Sequence, residues 1–597
     1  MGHTSNLNAF LNLHKDQLSS SGVPVHYWSS LYQKLVNQIF DAGTVFQILK
    51  VDSENREEYE PLWVLRALKD VDKSDGKHIY LIDHAWTFRP EEIKLQLLEN
   101  SSLKNRMSIL FDLDDNLSED ELIENIFNNI WKLANHYSVG NAENVEKQLP
   151  IWYIIDEVGS SVMHSNNPNC RIVPFFYMND QITYSLLFPI EDIEEDEFLT
   201  RDFAEGITDS SRRSAILLPW VATSFEHISY IPDMPYPDYF LEGHIKESLP
   251  KISGKEISKR DVYKVYTQYD LVRQYLTDQR FILVDTELEA DILWYTKHFK
   301  DFEELSIDFP GKYVNQFPFE YVITVKDLLC ITCRRNQSSL RWLPTSYNLV
   351  TEIRNFVSYY QYRNKNGMGN YWIVKPYNLA RGLDIHITNN LSYILKLSLT
   401  GPKIAQKYIS NPVLFYRPEC NGKVKFDIRY ILLLKSIKPI DAYVYKKFFL
   451  RFANKPFEMR DFEEYEKHYT VMNYTENATL KHLKCEDFLL EWSKQYPDHE
   501  WKDIESKITE MLKDILVSAS SAEPPCGFGE NPQSRALYAA DIMLEIDEKG
   551  DFNPRILEIN FTPDCQRACE YYEDFYNDIF NLFFLDNNCN AFLSLNK

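Results

Sequence analysis

The stretch Y-A-A-D-I-M-L-E-I-D at 538–547, the turn E-K-G-D at 548–551 and the run R-I-L-E-I-N at 555–560 decide the reading of the chain. Both runs alternate with period two, and a short Gly-containing turn separates them, which predicts a β-hairpin. Side chains two apart share a face of a strand, so Glu558 and Asn560 point the same way, opposite Leu557 and Ile559. Folding the hairpin back brings Asp541 near that end. Two carboxylates and an amide oxygen converging there suit magnesium, a hard cation that takes oxygen ligands. An edge hairpin with a polar outer face fits the same pattern.

Three further stretches carry charge onto strands. Y-W-I-V-K-P at 371–376 ends an apolar strand on Lys375, and a lysine there is costly without an anionic partner. The loop after it holds Arg381 and Gly382; strand, Lys, loop, Gly, strand is a pattern that can cradle a phosphate. A lysine at a strand end at the surface is the plainer reading. Q-K-Y-I occupies 406–409. In K-F-D-I-R at 425–429, Lys425, Asp427 and Arg429 share one face, either as a neutralised surface ladder or as cations oriented toward phosphate by Asp427.

Composition bounds the rest. The 597 residues predict three or four domains, and 44% hydrophobic with 14% aromatic residues is ample for several cores. A net charge of -24 repels nucleic-acid backbones and anionic lipid, so contact with an acidic partner needs a local basic patch. Nine scattered Cys, with no secretory leader at M-G-H-T-S-N, read as free thiols in a reducing compartment. The longest apolar runs, such as 215–222 and 430–434, are far short of a bilayer span, so the chain reads as soluble. Cys330-Ile-Thr-Cys333 stands without a second pair and reads as core packing.

Along the chain, 21–49 reads as a helix and then a strand, and 79–88 as one buried strand. Ser118 and Glu121 form a capping-box pattern before Leu122, Ile126, Ile130 and Leu133. The Pro-bearing stretch 223–260 reads as a connection. Alternating strands and helices run to about 365, strands to about 450, and a helical insertion covers 457–516. Residues 517–533 read as a loop, and a hairpin and an aromatic helix close the chain.

Taken in order, Y-W-I-V-K-P, R-G, Q-K-Y-I, K-F-D-I-R, A-A-D-I-M-L and L-E-I-N resemble the tubulin–tyrosine-ligase-like family over about residues 275–597. A-D-I-L-W at 290–294, N-Q-F-P at 315–318, V-K-D-L-L at 325–329 and W-L-P-T-S-Y at 342–347 support the match. The resemblance implies an ATP-grasp fold that forms an acyl phosphate from ATP and a substrate carboxylate, which an amine then attacks. Carried over by motif, Lys375, Arg381 and Gly382 would face the phosphates, and Gln406, Lys407 and Tyr408 the adenine. Lys425, Asp427 and Arg429 would face the phosphates or the acceptor, with Arg429, Arg451 and Glu558 catalytic. Asp541, Glu558 and Asn560 would hold Mg2+. His468, Thr470 and Asn473 look like a stretched middle motif of the family. The family's second loop glycine is Asp384 here, and a carboxylate about 4 Å from phosphate would repel it by roughly 4 kcal/mol at an effective dielectric of 20. Weak, altered or lost catalysis is the expectation.

M-H-S-N-N-P-N-C at 163–170 and F-P-I-E-D-I-E-E-D-E-F-L-T-R-D-F at 188–203 resemble the two halves of a SET methyltransferase signature. Met163 stands for its Asn, Phe203 for its Tyr and Asp196 for a Gly, which implies a SET-like domain that serves binding. The expected fold class is thus α+β multidomain: a β-rich SET-like domain at 1–222, a connection at 223–274, a subdomain at 275–365 and ATP-grasp subdomains at 366–597. The implied function is binding tubulin and modulating its modification, in the cytoplasm, at the cytoskeleton or in the nucleus. Other implied partners are histone-like or signalling proteins, with no direct nucleic acid and no membrane. An active amino-acid ligase and a SET-type lysine methyltransferase are the alternatives.

Overall fold

The computed structural model describes residues 2–51, 60–114, 116–138, 149–251, 257–335, 340–377, 383–472, 480–587 and 590–596. It is α+β and divides into two compact units. One comprises Met1–Tyr230 with Leu349–Gly369 and Thr388–Gly401; the other comprises Ile231–Asn348, Asn370–Ile387 and Pro402–Lys597.

The first unit is built of short sheets with helices around them. Tyr80–Ile82, Ile182–Pro189 and Cys170–Tyr177 form one three-stranded sheet in that order, and His84–Phe88, Ile151–Ile155 and Asn135–Tyr137 form another. The single strand expected over 79–88 is therefore two strands in different sheets. The break falls at exposed Asp83, whose carbonyl accepts from Asp156 N (2.9 Å). The capping box forms as expected: Ser118 and Glu121 cap the helix Glu119–Leu133 reciprocally. Its Trp131 stacks on Tyr393 at 3.6 Å, so the Leu391–Leu397 helix belongs to this unit's core. The Ile353–Lys365 helix joins it through Asn355 and Ser358, which donate to the carbonyls of Ser229 and Ile228 (2.8 and 2.6 Å).

The second unit centres on a mixed-length antiparallel sheet. Its order is Phe552–Phe561, Ala536–Ile546, Phe426–Ile437, Ile440–Tyr445, Phe592–Ser594, with Phe449–Phe452 also pairing to Phe426–Ile437. The hairpin read from the sequence forms its edge; the terminal strand Phe592–Ser594 has no counterpart in that reading. Along Phe426–Ile437, Phe426, Ile428, Tyr430 and Leu432 face one core, and Ile431 and Leu433 face a second core against the aromatic helix Phe575–Leu585. Toward the start of that strand the second face changes to Arg429 and Asp427, and the apolar core gives way to charge. A second sheet carries Ser346–Asn348, Lys403–Lys407, Trp372–Pro376 and His386–Thr388 in that order. A four-stranded parallel sheet (Phe281–Val284, Tyr263–Thr267, Ile292–Trp294, Tyr313–Val314) completes the unit. The helix Trp501–Ser520 runs into the expected 517–533 loop because Ser518 and Ala519 are buried in its packed face. Cys330 and Cys333 are buried in the helix Lys326–Arg334.

Candidate functional site

Strand register assembles the charged face. Asp541 lies opposite Glu558 on one side and opposite Arg429 on the other, while Asp427 lies opposite Arg451. A register irregularity follows Asp541, and bulges of this kind re-aim side chains beside functional sites. Asn560 Nδ2 donates to Asp541 Oδ2 (3.4 Å) and to Glu558 Oε1 (3.3 Å), so the three expected oxygen ligands are neighbours.

Cations interlock with these acids. Arg429 Nε and Nη2 donate to the two oxygens of Asp541 (2.7 and 2.9 Å). Arg451 bridges Asp427 Oδ1 (2.7 Å) and Asp541 Oδ2 (2.8 Å). Thr470 also donates to Asp427. Burial alone would raise the pKa of Asp541, but the two guanidiniums hold it well below the usual carboxylate range.

Lys375 arrives from the second sheet. Its strand pairs with Lys403–Lys407, and Lys375 Nζ donates to Gln406 Oε1 (3.0 Å) and to the carbonyl of Leu557 (3.4 Å). Burial, with repulsion from Lys326, pulls its pKa down to about 8. Gln406 in turn donates to Ser346 Oγ (3.1 Å), and Lys407 donates to the carbonyl of Tyr371 (3.0 Å). Lys425 is buried, donates to Tyr408 Oη (2.9 Å) and is pulled down to about 7 by burial. Tyr408 Oη also bonds to His468 Nδ1 (2.9 Å). The structure therefore brings Lys375, Gln406, Arg429, Arg451, Asp427, Asp541, Glu558 and Asn560 into one connected face, with Lys425, Tyr408 and His468 as a linked branch and Lys407 at the end of the Gln406 strand. Arg381, Gly382 and Asn473 lie outside the described residues.

Lys326 was missed by the sequence reading as a site residue. Its Nζ lies 3.1 Å from Glu558 Oε2 and lowers the Glu558 pKa against the opposing effect of burial. A lysine opening a helix opposes the helix dipole, so the V-K-D-L-L string carried a signal that this cation answers an acid elsewhere. With Lys326, five cations (Lys326, Lys375, Lys425, Arg429, Arg451) meet three carboxylates (Asp427, Asp541, Glu558), an excess suited to a polyanion. The neighbouring carboxylates of Asp541 and Glu558 are oxygen donors of the kind a hard divalent cation takes, and Asn560, whose N–H group faces both, would add its oxygen with the amide turned over.

The expectation for Asp384 is corrected. It does not stand as an uncompensated charge: Lys403 Nζ lies 2.7 Å from Oδ2 and His386 Nε2 2.9 Å from Oδ1. Its φ of +54° is the left-handed backbone that favours glycine. Against its burial, His386 and Lys403 hold its pKa below the ordinary value.

In the first unit, Met163–His164 and Thr200–Arg201 pair in parallel. Asn169 fastens the two signature strings by accepting from Thr200 N (2.8 Å) and donating to the carbonyl of Phe198 (2.9 Å). His164 Nδ1 accepts from Phe203 N (3.2 Å). Asp196 has φ +68°, again where the resembled motif has glycine.

A family model described as the tubulin-tyrosine ligase family matches residues 306–594, and one described as the tubulin tyrosine ligase SET-like domain matches residues 54–224. The chain is 41% identical to tubulin–tyrosine ligase-like protein 12 of Homo sapiens, over 97% of this chain and 94% of that one. It is 35% identical to the Caenorhabditis elegans protein of the same name, over 97% of each. It is 25% identical to a probable tubulin polyglutamylase, TTLL2 of Mus musculus, over 58% of this chain and 66% of that one. Among the described residues no helix is long and apolar enough to cross a membrane.

Proposed function

The chain belongs to the tubulin-tyrosine ligase family, and on that footing we propose that it is an ATP-grasp protein that binds Mg-ATP, engages tubulin and modulates its modification, with weak or altered ligase turnover. The observation that carries this reading is the junction of Lys375 from one sheet with Arg429, Arg451, Asp541, Glu558 and Asn560 from another.

In this reading Asp541, Glu558 and Asn560 hold Mg2+, which when bound neutralises phosphate oxygens. Lys375 and Lys326 provide positive charge where phosphate would sit, and Gln406 orients Lys375. Arg451 links Asp427 to Asp541 and fixes the angle at which Arg429 is presented. Preorganised charge of this kind stabilises a developing oxyanion without reorganisation.

Weak turnover follows from Asp541 itself. Both its oxygens accept from Arg429 and one also from Arg451, and bidentate charge-assisted pairs are strong. A cation that takes Asp541 competes with two guanidiniums. The second reading, an active ligase adding an amino acid to a protein C-terminus or a glutamate side chain, is favoured by the pairing of Asp384 with Lys403 and His386, which removes the charge expected to repel phosphate. Incubation with tubulin, Mg-ATP and labelled Tyr, Glu or Gly separates the two. Incorporation at or below background supports the first reading. Robust incorporation that Glu558→Gln abolishes establishes the second.

A further inference from the structure

Two cations of the SET-like unit stand over aromatic rings. Arg201 ends the short parallel pair with Met163–His164, and its guanidinium lies over the Phe203 ring at 4.9 Å. Lys396, on the helix Leu391–Leu397 of the same unit, lies over the Trp220 ring at 4.9 Å. The Phe203 and Trp220 rings are themselves 4.7 Å apart, so the cations sit on adjoining plates. Among the described residues, buried Arg201 Nε has no hydrogen-bond partner. Among the described residues neither Arg201 nor Lys396 forms a side-chain ion pair.

The acids nearby are occupied. Asp202 is gripped at both oxygens by Arg213 (2.7 Å each), and Glu205, which attracts Arg201 from a distance, pairs with Arg171 at 2.7 Å. Cys170 and Tyr153, which also interact with Arg201, stay neutral because burial raises both, the thiol to about 12. Burial, and then repulsion from Arg201, pulls Lys396 down to about 7. Cation–π contact contributes only about 0.5–2 kcal/mol and supplies no hydrogen-bond acceptor. Lys396, Arg201, Phe203 and Trp220 are each partly exposed as residues.

We infer that Arg201 and Lys396, framed by Phe203 and Trp220, form a binding site for a small oxyanion ligand whose carboxylate or phosphate group accepts from both cations. The position is where the resembled signature has its tyrosine, so the SET-like half would recognise an anion in place of transferring methyl groups. A sulfonium methyl donor is cationic and would meet like charge there.

The test is thermal unfolding of the full chain at constant ionic strength with inorganic phosphate, with glutarate, and with neither, together with an Mg-ATP titration. The wild type is expected to rise in Tm with at least one anion, and which one distinguishes phosphate from carboxylate recognition. Arg201→Gln and Lys396→Gln should each weaken that response about tenfold, the loss of one charge-assisted bond, and leave Mg-ATP affinity unchanged. Lys375→Gln, in the ligase half, should lower Mg-ATP affinity and keep the anion response that Arg201 and Lys396 carry. Without anion, Lys396→Gln should melt no lower than wild type, because repulsion is relieved. Absence of any anion response in the wild type, an unchanged response in both variants, or a lower anion-free Tm for Lys396→Gln, as a purely structural cation–π contact would give, overturns the site.

Discussion

Asp384 and Asp196 each stand where the resembled motifs have glycine, and each keeps the left-handed backbone of that glycine, at φ +54° and +68°. Asp is among the few side chains that tolerate this region. The sequence showed the substitutions but not the cations that receive them, because Lys403 and Arg66 are distant in sequence and met only through the fold. Asp384→Asn is therefore expected to destabilise the chain by about 3 kcal/mol, since it removes the carboxylate 2.7 Å from the buried Lys403 ammonium. It should not tighten ATP binding. Equal chemical-denaturation midpoints for variant and wild type, or tighter nucleotide binding, would contradict this account of the loop. Lys326 teaches the converse: its string was visible, but its partner Glu558 lies 232 positions away and no local pattern links them.

At the scale of elements, strands with strict alternation were legible and their ends were not. The hairpin and the Lys425-Asp427-Arg429 face could be read because period two forces side chains onto opposite faces. The split of 79–88 could not, since both halves are apolar and only the pairing at Asp83 sends them to different sheets. Glu320 joins the hairpin to the short helix Tyr321–Thr324: its Oε2 accepts from Tyr538 Oη (2.8 Å) and from Phe317 N (3.1 Å). Burial raises Glu320 from 4.5 to about 7. The unfolded chain loses this proton near 4.5 and the native chain near 7, so between those values the native state holds the extra proton. Stability then falls as pH rises through the window, by roughly 3 kcal/mol in total. Glu320→Gln keeps the acceptor oxygen and removes the titration. Its Tm relative to wild type should rise from pH 5 to pH 8; a difference independent of pH would refute the assignment.

For the whole molecule, the family match to 306–594 contains two segments, Leu349–Gly369 and Thr388–Gly401, that belong structurally with the N-terminal unit. Charge and composition gave no hint of this, because the Trp131–Tyr393 stack joins residues 262 apart. A fragment beginning at Ile231 removes Trp131 from Tyr393, whose side chain is otherwise buried. Such a fragment is expected to melt well below the full chain or to aggregate; a Tm equal to that of the intact protein would contradict the shared core.

The net charge of -24 makes the cation excess at the ligase face a local property, set against the field of the molecule. The central claim is that this face holds a triphosphate through cations and a magnesium ion through Asp541, Glu558 and Asn560. Calorimetric titration of the full chain with ATP, with and without Mg2+, for wild type and Glu558→Gln tests it directly. The account predicts saturable, magnesium-dependent binding to wild type. It also predicts at least roughly tenfold weaker binding to the variant, the scale seen even when outer-shell partners of a metal are lost. Binding that ignores both magnesium and the substitution, or no binding to the wild type, would contradict it.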